Sequence, residues 1–115
     1  MEFDLPFPPS VNGYWRSFRG RQIISKAGCE YRESILTLVR PQEPLQGELE
    51  VSLYLFPPDK RRRDIDNYIK ALLDALTHAG VWNDDSQVKR LSVDMMPPGQ
   101  GKCWICIKQR PHKAE

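Results

Sequence analysis

Between residues 49 and 56 the chain alternates without a break. Leu49, Val51, Leu53 and Leu55 fall on one side, Glu50, Ser52 and Tyr54 on the other, and Pro57 and Pro58 close the run. Successive side chains of an extended strand point to opposite faces, so this pattern predicts a strand buried on one face only. Such a face needs a cover. Ile69, Leu72, Leu73 and Leu76 recur at helical spacing between about Asp66 and Ala79, and Gly80 supplies a C-terminal cap signal, which predicts a helix able to provide it.

The flanking segments extend the same logic. Phe3, Leu5 and Phe7 alternate over residues 2 to 7, a strand that Pro6 assigns to a sheet edge. SVNGYWRSFRGRQ is rich in turn formers and reads as a long surface loop or hairpin. Ser25 is a candidate N-cap for a helix reaching about Arg40, with Tyr31, Ile35, Leu38 and Val39 on one face and Pro41 ending it, although Gly28 lies in the first turn. Residues 87 to 96 and 102 to 109 read as two further strands joined through PPGQG. The expected fold is α/β in the α+β sense: a two-layer domain with a mixed sheet of about four strands and two helices packed on it.

A chain of 115 residues has room for one domain, here 1–115, and no internal repeat or linker divides it. It lacks an apolar run long enough to cross a membrane. MEFDLPFPP has neither the basic start nor the apolar core of a signal peptide, so a cytoplasmic location is expected. In that compartment Cys29, Cys103 and Cys106 would remain thiols. Cys103 and Cys106 form a C-x-x-C, but on a strand their odd spacing turns them to opposite faces, which makes zinc a poor reading. Neither His78 nor His112 has a partner at ligand spacing, and the tail QRPHKAE is expected to fray.

The net charge of +2 conceals an uneven distribution: residues 1 to 58 are net −1 and residues 59 to 115 net +3. Four cations are contiguous, Lys60, Arg61, Arg62 and Arg63, and they run straight into Asp64 and Asp66. A polyanion gives that order a reason, because the cations would hold phosphates beside carboxylates that otherwise repel them. In an extended segment Asp64 and Asp66 point the same way. Close carboxylates without His or Cys suit Mg²⁺, whose remaining ligands are waters and phosphate oxygens. Lys70 lies one helical turn beyond Asp66. A second pair, Asp84 and Asp85, follows the helix; if its turn folds back to the helix start, a three-carboxylate site for one or two Mg²⁺ ions results, able to activate water and neutralise the scissile phosphate.

Each element also has a plainer reading. Asp66 serves equally as a helix N-cap, Lys70 as the middle of an i±4 ion-pair ladder with Asp66 and Asp74, Asp84 and Asp85 as turn formers, and the cation run as a solvated loop. Their coincidence within residues 60 to 85 favours a site.

The string RRRDIDNYIKALLDALTHAGVWNDDSQV resembles the signature of the RusA-type Holliday junction resolvases: a cation run, D-x-D-N, a following Lys, a D-A-L helix and a G-x-W-x-D-D-x-Q-V turn. LPFPPSVNGYWR is similar to that family's opening, so the resemblance covers nearly the whole chain. It implies a Mg²⁺-dependent endonuclease, common in phages and prophages, that nicks opposed strands of a four-way junction symmetrically as a homodimer without an organic cofactor, in DNA recombination and repair. It further implies that Asp64, Asp66 and Asp85 bind metal with Asp84 beside them, that Lys70 is catalytic, and that Asn67 supports the site. Lys60, Arg61, Arg62 and Arg63 match its cation run. Whether Mn²⁺ substitutes for Mg²⁺ is left open. Arg16, Arg19 and Arg21, interleaved with Tyr14, Trp15 and Phe18, are candidates for DNA contact near the crossover. Two rivals remain: a nuclease for flaps or forks, and a noncatalytic nucleic-acid-binding module.

Overall fold

A computed structural model describes residues 1–40 and 43–111. Pro41, His112 and the last three residues of the expected fraying tail lie outside them. The elements run β1 (Glu2–Pro6), α1 (Val11–Tyr14), β2 (Trp15–Phe18), β3 (Arg21–Ile24), α2 (Lys26–Val39), β4 (Leu49–Phe56), α3 (Ile69–His78), β5 (Val88–Met95) and β6 (Lys102–Gln109), with short 3-10 turns at Ile65–Asn67 and Asp85–Gln87. β1, β6, β4 and β5 form a four-stranded mixed sheet in that order, and β2 and β3 form a separate hairpin. Among the described residues no helix is long and apolar enough to cross a membrane.

β4 alternates buried and half-buried along its whole length, as its sequence predicts. Its inward residues Leu49, Val51, Leu53 and Leu55 meet Cys103, Ile105 and Ile107 of β6, Tyr31, Ile35 and Val39 of α2, and Ala71, Leu72, Ala75 and Leu76 of α3 in one core. Cys103 is buried while Cys106, on the opposite face, is half-buried; burial pushes the Cys103 thiol up to about 12. β1 pairs only with β6, the edge position that Pro6 predicts.

The two C-terminal strands are consecutive but not neighbours, since β4 lies between them. β4 pairs in parallel with β5 and antiparallel with β6, and the connection from Met96 to Gly101 passes the end of β4, where Gly99 donates to the Pro57 carbonyl (2.8 Å). Parallel pairing obliges the segment between β4 and β5 to cross from one end of the sheet to the other, and α3 makes that crossing.

Local signals explain the helix ends. Ser25 caps α2 by accepting from Gly28 N (2.9 Å) and donates to the Gly13 carbonyl (2.6 Å). Gly28 is there because a Cβ would collide with the Tyr14 carbonyl and lie 2.7 Å from Ile24 Cγ1. At the end of α3, Val81 N bonds to Leu76 O and Gly80 N to Thr77 O, with Gly80 at φ 82, the Schellman arrangement that favours glycine.

Three expectations need correction. The segment after Pro9 is a hairpin preceded by one helical turn, α1, which Ser10 caps through Gly13 N. α3 begins at Ile69 rather than near Asp66, because the chain first makes the 3-10 turn at Ile65–Asn67. The front of the tail is ordered: Gln109 pairs with Leu49, Arg110 N bonds to Glu48 O (2.9 Å), and its guanidinium pairs with Glu50 (3.4 Å).

Candidate active site

The cation strip is organised by a carboxylate that the sequence reading passed over. Asp59 accepts from Arg61 N (3.0 Å), Arg61 Nη2 (3.1 Å) and Arg63 Nη1 (2.9 Å). The hydrogen bond from Arg63, then those from Arg61, hold the Asp59 carboxyl far below the usual carboxylate range. Arg63 also donates to the Asp59 carbonyl and lies over the Phe7 ring at 5.6 Å, leaving only 11% of its side chain exposed. Lys60 and Arg62 are exposed and make no ion pair among the described residues. The strip thus divides into an anchored pair and an open pair. The signal was adjacency, since Asp59 immediately precedes the run.

Asp64 is extended (φ −88, ψ 129), whereas Asp66 lies inside the 3-10 turn, so the two are not in the regular extended segment that the spacing suggested. Nor is Asp66 the N-cap of α3; Tyr68 occupies that position without a side-chain cap bond. Among the described residues neither carboxylate has a hydrogen-bond or ion-pair partner, and both are exposed. Asn67 is half-buried beside them. Tyr68 fixes the turn from below, buried and packed against Phe7 with the rings tilted at 54° and their centres 5.1 Å apart.

The ion-pair ladder through Lys70 does not form. Asp74 is taken by α2: Arg32 donates to it from Nη2 (2.8 Å) and Nε (3.2 Å), and the hydroxyl of fully buried Tyr14 donates to the same oxygen. A guanidinium fork outcompetes an ammonium for one carboxylate, although its partner is 42 residues distant in sequence. Burial, and then the bond to Asp74, raise the Tyr14 hydroxyl far above its ordinary value. Lys70 instead places Nζ 5.2 Å from the centre of the Trp15 ring, and Trp15 rests edge-on against Tyr14 at 4.3 Å.

The second acidic pair is divided. Asp84 accepts from Ser86 N (3.2 Å) and completes a capping box with Gln87; its carboxyl is lowered chiefly by the bond from Ser86. Gln87 Oε1 accepts from Asn83 N (2.9 Å) and Asp84 N (3.1 Å), while Nε2 donates to Leu45 O and Gly47 O (2.9 Å each). This side chain fastens the turn to the start of β4. Asp85 is exposed, without a partner among the described residues.

The two acidic pairs stand at opposite ends of α3, a helix of 10 residues spanning about 15 Å. Register supports this placement: Val88, just after Asp85, pairs with Leu49, whereas the turn before α3 lies near Phe7, at the Phe56 and Lys102 end of the sheet. Among the described residues no three His, Cys, Asp or Glu side chains gather at metal-ligand range. The return of Asp84 and Asp85 to the helix start therefore does not occur within one chain, because the parallel crossover carries the chain away. The open groups that remain, Asp64, Asp66 and Asp85, are all exposed carboxylates, and such hard oxygen donors fit a divalent cation such as Mg²⁺.

The β2–β3 hairpin stands beside α3. Arg19 (φ 51) and Gly20 (φ 75) make its two-residue turn, both in the left-handed region that a tight hairpin demands. Arg16, Arg19 and Arg21 are exposed, and the ring of Phe18, 49% exposed, has the guanidinium groups of Arg16 (5.6 Å) and Arg19 (5.3 Å) near its centre.

An α+β domain that sets open cations and open carboxylates around one helix has the surface that a polyanion-handling protein needs. The chain is a member of the RusA family: the family model described as endodeoxyribonuclease RusA matches residues 6–108. It is 42% identical over 100 residues to the crossover junction endodeoxyribonuclease RusA of Enterobacteria phage 82, a match covering 84% of this chain and 83% of that relative. The protein of the same name from Escherichia coli (strain K12) is 41% identical over the same shares. That of Enterobacteria phage HK97 is 39% identical over 95 residues, covering 80% of this chain and 79% of the relative.

Proposed function

We propose that the protein is a structure-selective DNA endonuclease that resolves four-way junctions by paired, symmetric nicks in recombination and repair, working in the cytoplasm as a Mg²⁺-dependent homodimer. The observation that carries this reading is that Asp66, in the 3-10 turn, and Lys70, in the first turn of α3, are both free of ion pairs among the described residues although each had an opposite charge four residues away in sequence. Both side chains are exposed, so a carboxylate and an ammonium that the fold does not use stay available to a cation and a phosphate.

Asp64 and Asp66 of one protomer and Asp85 of its partner would hold the cation. Two chains are needed because α3 separates the two pairs within one chain, and a two-fold axis then generates two equal sites, as two symmetric cuts require. When bound, the cation supplies charge neutralisation at the scissile phosphate and lowers the pKa of the attacking water. Lys70 holds the phosphate's non-bridging oxygens as negative charge grows in the transition state, and Trp15 keeps its ammonium from collapsing onto Asp66. Lys60 and Arg62 take flanking phosphates, while Arg61 and Arg63, braced on Asp59, fix the course of the strip. Arg16, Arg19 and Arg21 extend the cationic track across the hairpin.

The test is a mobile four-way junction incubated with protein, with and without Mg²⁺, beside flap and fork substrates. Paired, symmetric nicks that need Mg²⁺ and vanish in Asp66→Asn support the reading. Equal cutting of flaps and junctions replaces junction resolution by a general branched-DNA nuclease. Tight junction binding with no cutting at any Mg²⁺ concentration reduces the protein to a binding module.

A further inference from the structure

A cleft of about 500 Å³ lies between the β2–β3 hairpin and α3, lined by Val11, Asn12, Trp15, Arg16, Gln22 and Lys70. We propose that it is a nucleotide subsite, which takes one unstacked base beside the scissile phosphate and reads its edge with the amides of Asn12 and Gln22. The inference rests on the junction-endonuclease reading, since Lys70 is what ties the cleft to the cut.

The lining has groups for a phosphate, for the face of a base and for its edge. Lys70 and Arg16 are cations for phosphate, and no carboxylate lines the cleft. Trp15 and Val11 offer apolar surface for a base, and stacking on an aromatic ring tolerates any base. Asn12 and Gln22 each carry both a donor and an acceptor, the bidentate equipment that distinguishes one base edge from another. Among the described residues neither side-chain amide is used in a hydrogen bond within the protein. The volume is in the range of small-ligand pockets and suits a single base. A base that enters leaves the stack, which costs least at a branch point where stacking is already interrupted.

The walls are braced before any ligand arrives. Ser25 donates to the carbonyls of Gly13 (2.6 Å) and Tyr14 (3.0 Å), and Tyr14 is tied to Asp74 and Arg32, so the base of the hairpin is fixed to both long helices. Trp15, the residue that follows, inherits that position and carries Lys70 above it. Asn12 and Gln22 sit exposed on this braced frame, and a base edge that pairs with their amides gains contacts that a mismatched edge does not.

The test places 2-aminopurine in turn at each position flanking the nick in a four-way junction and follows its fluorescence on binding without divalent metal. Wild type is expected to change the signal at least about twofold at one position only, and both Asn12→Ala and Gln22→Ala are expected to abolish that change while junction affinity shifts by less than about threefold. In the cutting assay, the spread of rates among the four bases at that position should fall from about tenfold to near unity in the same variants. Gln22→Glu, which adds a carboxylate to the cleft, should weaken binding of the phosphate beside it. No responsive position, or an unchanged response in both alanine variants, overturns the subsite. Failure of wild type to cut any junction overturns the proposed function instead, and the fluorescence still decides the cleft.

Discussion

The two acidic pairs flanking α3 look alike in sequence and are used differently. Asp64 and Asp66 stand on a turn whose shape is set by others: Asp59 bracing the strip on one side and Tyr68 packed on Phe7 on the other. Their carboxylates are left out of the folding interactions. Asp84 and Asp85 share a turn in which one carboxylate is a cap and a neighbouring glutamine makes four hydrogen bonds, so only Asp85 remains open. The contrast separates residues that hold the fold from residues that the fold holds out. A carboxylate with a backbone partner is explained by stability; an exposed one without a partner is not, and the proposed cation site gives Asp64, Asp66 and Asp85 a use.

The largest expected effect tests whether the open groups of the two turns belong to one site. Asp66→Asn and Asp85→Asn should each lower junction cutting by at least about 10³-fold while leaving junction binding intact. Co-expressed, the two inactive chains should regain nicking, because a mixed dimer would contain one site with both carboxylates; rescue absent from verified mixed dimers would place each site within a single chain. Lys70→Ala should follow at about 10²-fold in kcat, with binding affinity little changed. A drop in affinity alone would return Lys70 to the role of a phosphate contact.

Smaller effects sharpen the distinction within the second turn. Gln87→Ala should cost about 1 kcal/mol of stability, because the partly buried carbonyl of Leu45 loses its donor while the exposed one of Gly47 returns to water. Asp84→Ala should lower Tm slightly with cutting nearly unchanged, and Asp85→Ala should do the reverse. Equal loss of cutting in both would show that the capping residue also belongs to the site.

The smallest effect concerns pH. Asp59 has a lowered carboxyl in the folded state, so its contribution is complete above the ordinary aspartate value near 4 and is lost as pH falls through the lowered one. The Tm difference between wild type and Asp59→Asn should be flat from about pH 8 to pH 5 and shrink steadily below about pH 4. A difference that widens toward low pH would contradict the bracing role.

Patterns local in sequence predicted the fold well. The alternation of Leu49 to Leu55 and the glycine after α3 each act within a few residues, and both are realised as read. Some of what escaped is local, such as the bracing of Arg61 and Arg63 by Asp59, but the larger misses depend on partners far along the chain. The insertion of β4 between β5 and β6 is invisible in the short PPGQG link, and the pairing of Lys70 with Asp74 is cancelled by an arginine from another helix. For the site, the motif identified which residue types matter. Its spacing could not reveal that a parallel crossover would hold the two carboxylate pairs apart, since that follows from strand order alone.

Strand order also governs when such a protein comes into being. β6, the last strand, is the hydrogen-bonded neighbour of both β1 and β4, and without it the first strand has no partner in the sheet. A chain emerging from the ribosome therefore carries its acidic and basic motifs well before it has a sheet to mount them on. Contacts of such long sequence separation make folding slow and late. The same arrangement leaves the sheet incomplete until synthesis has passed Gln109.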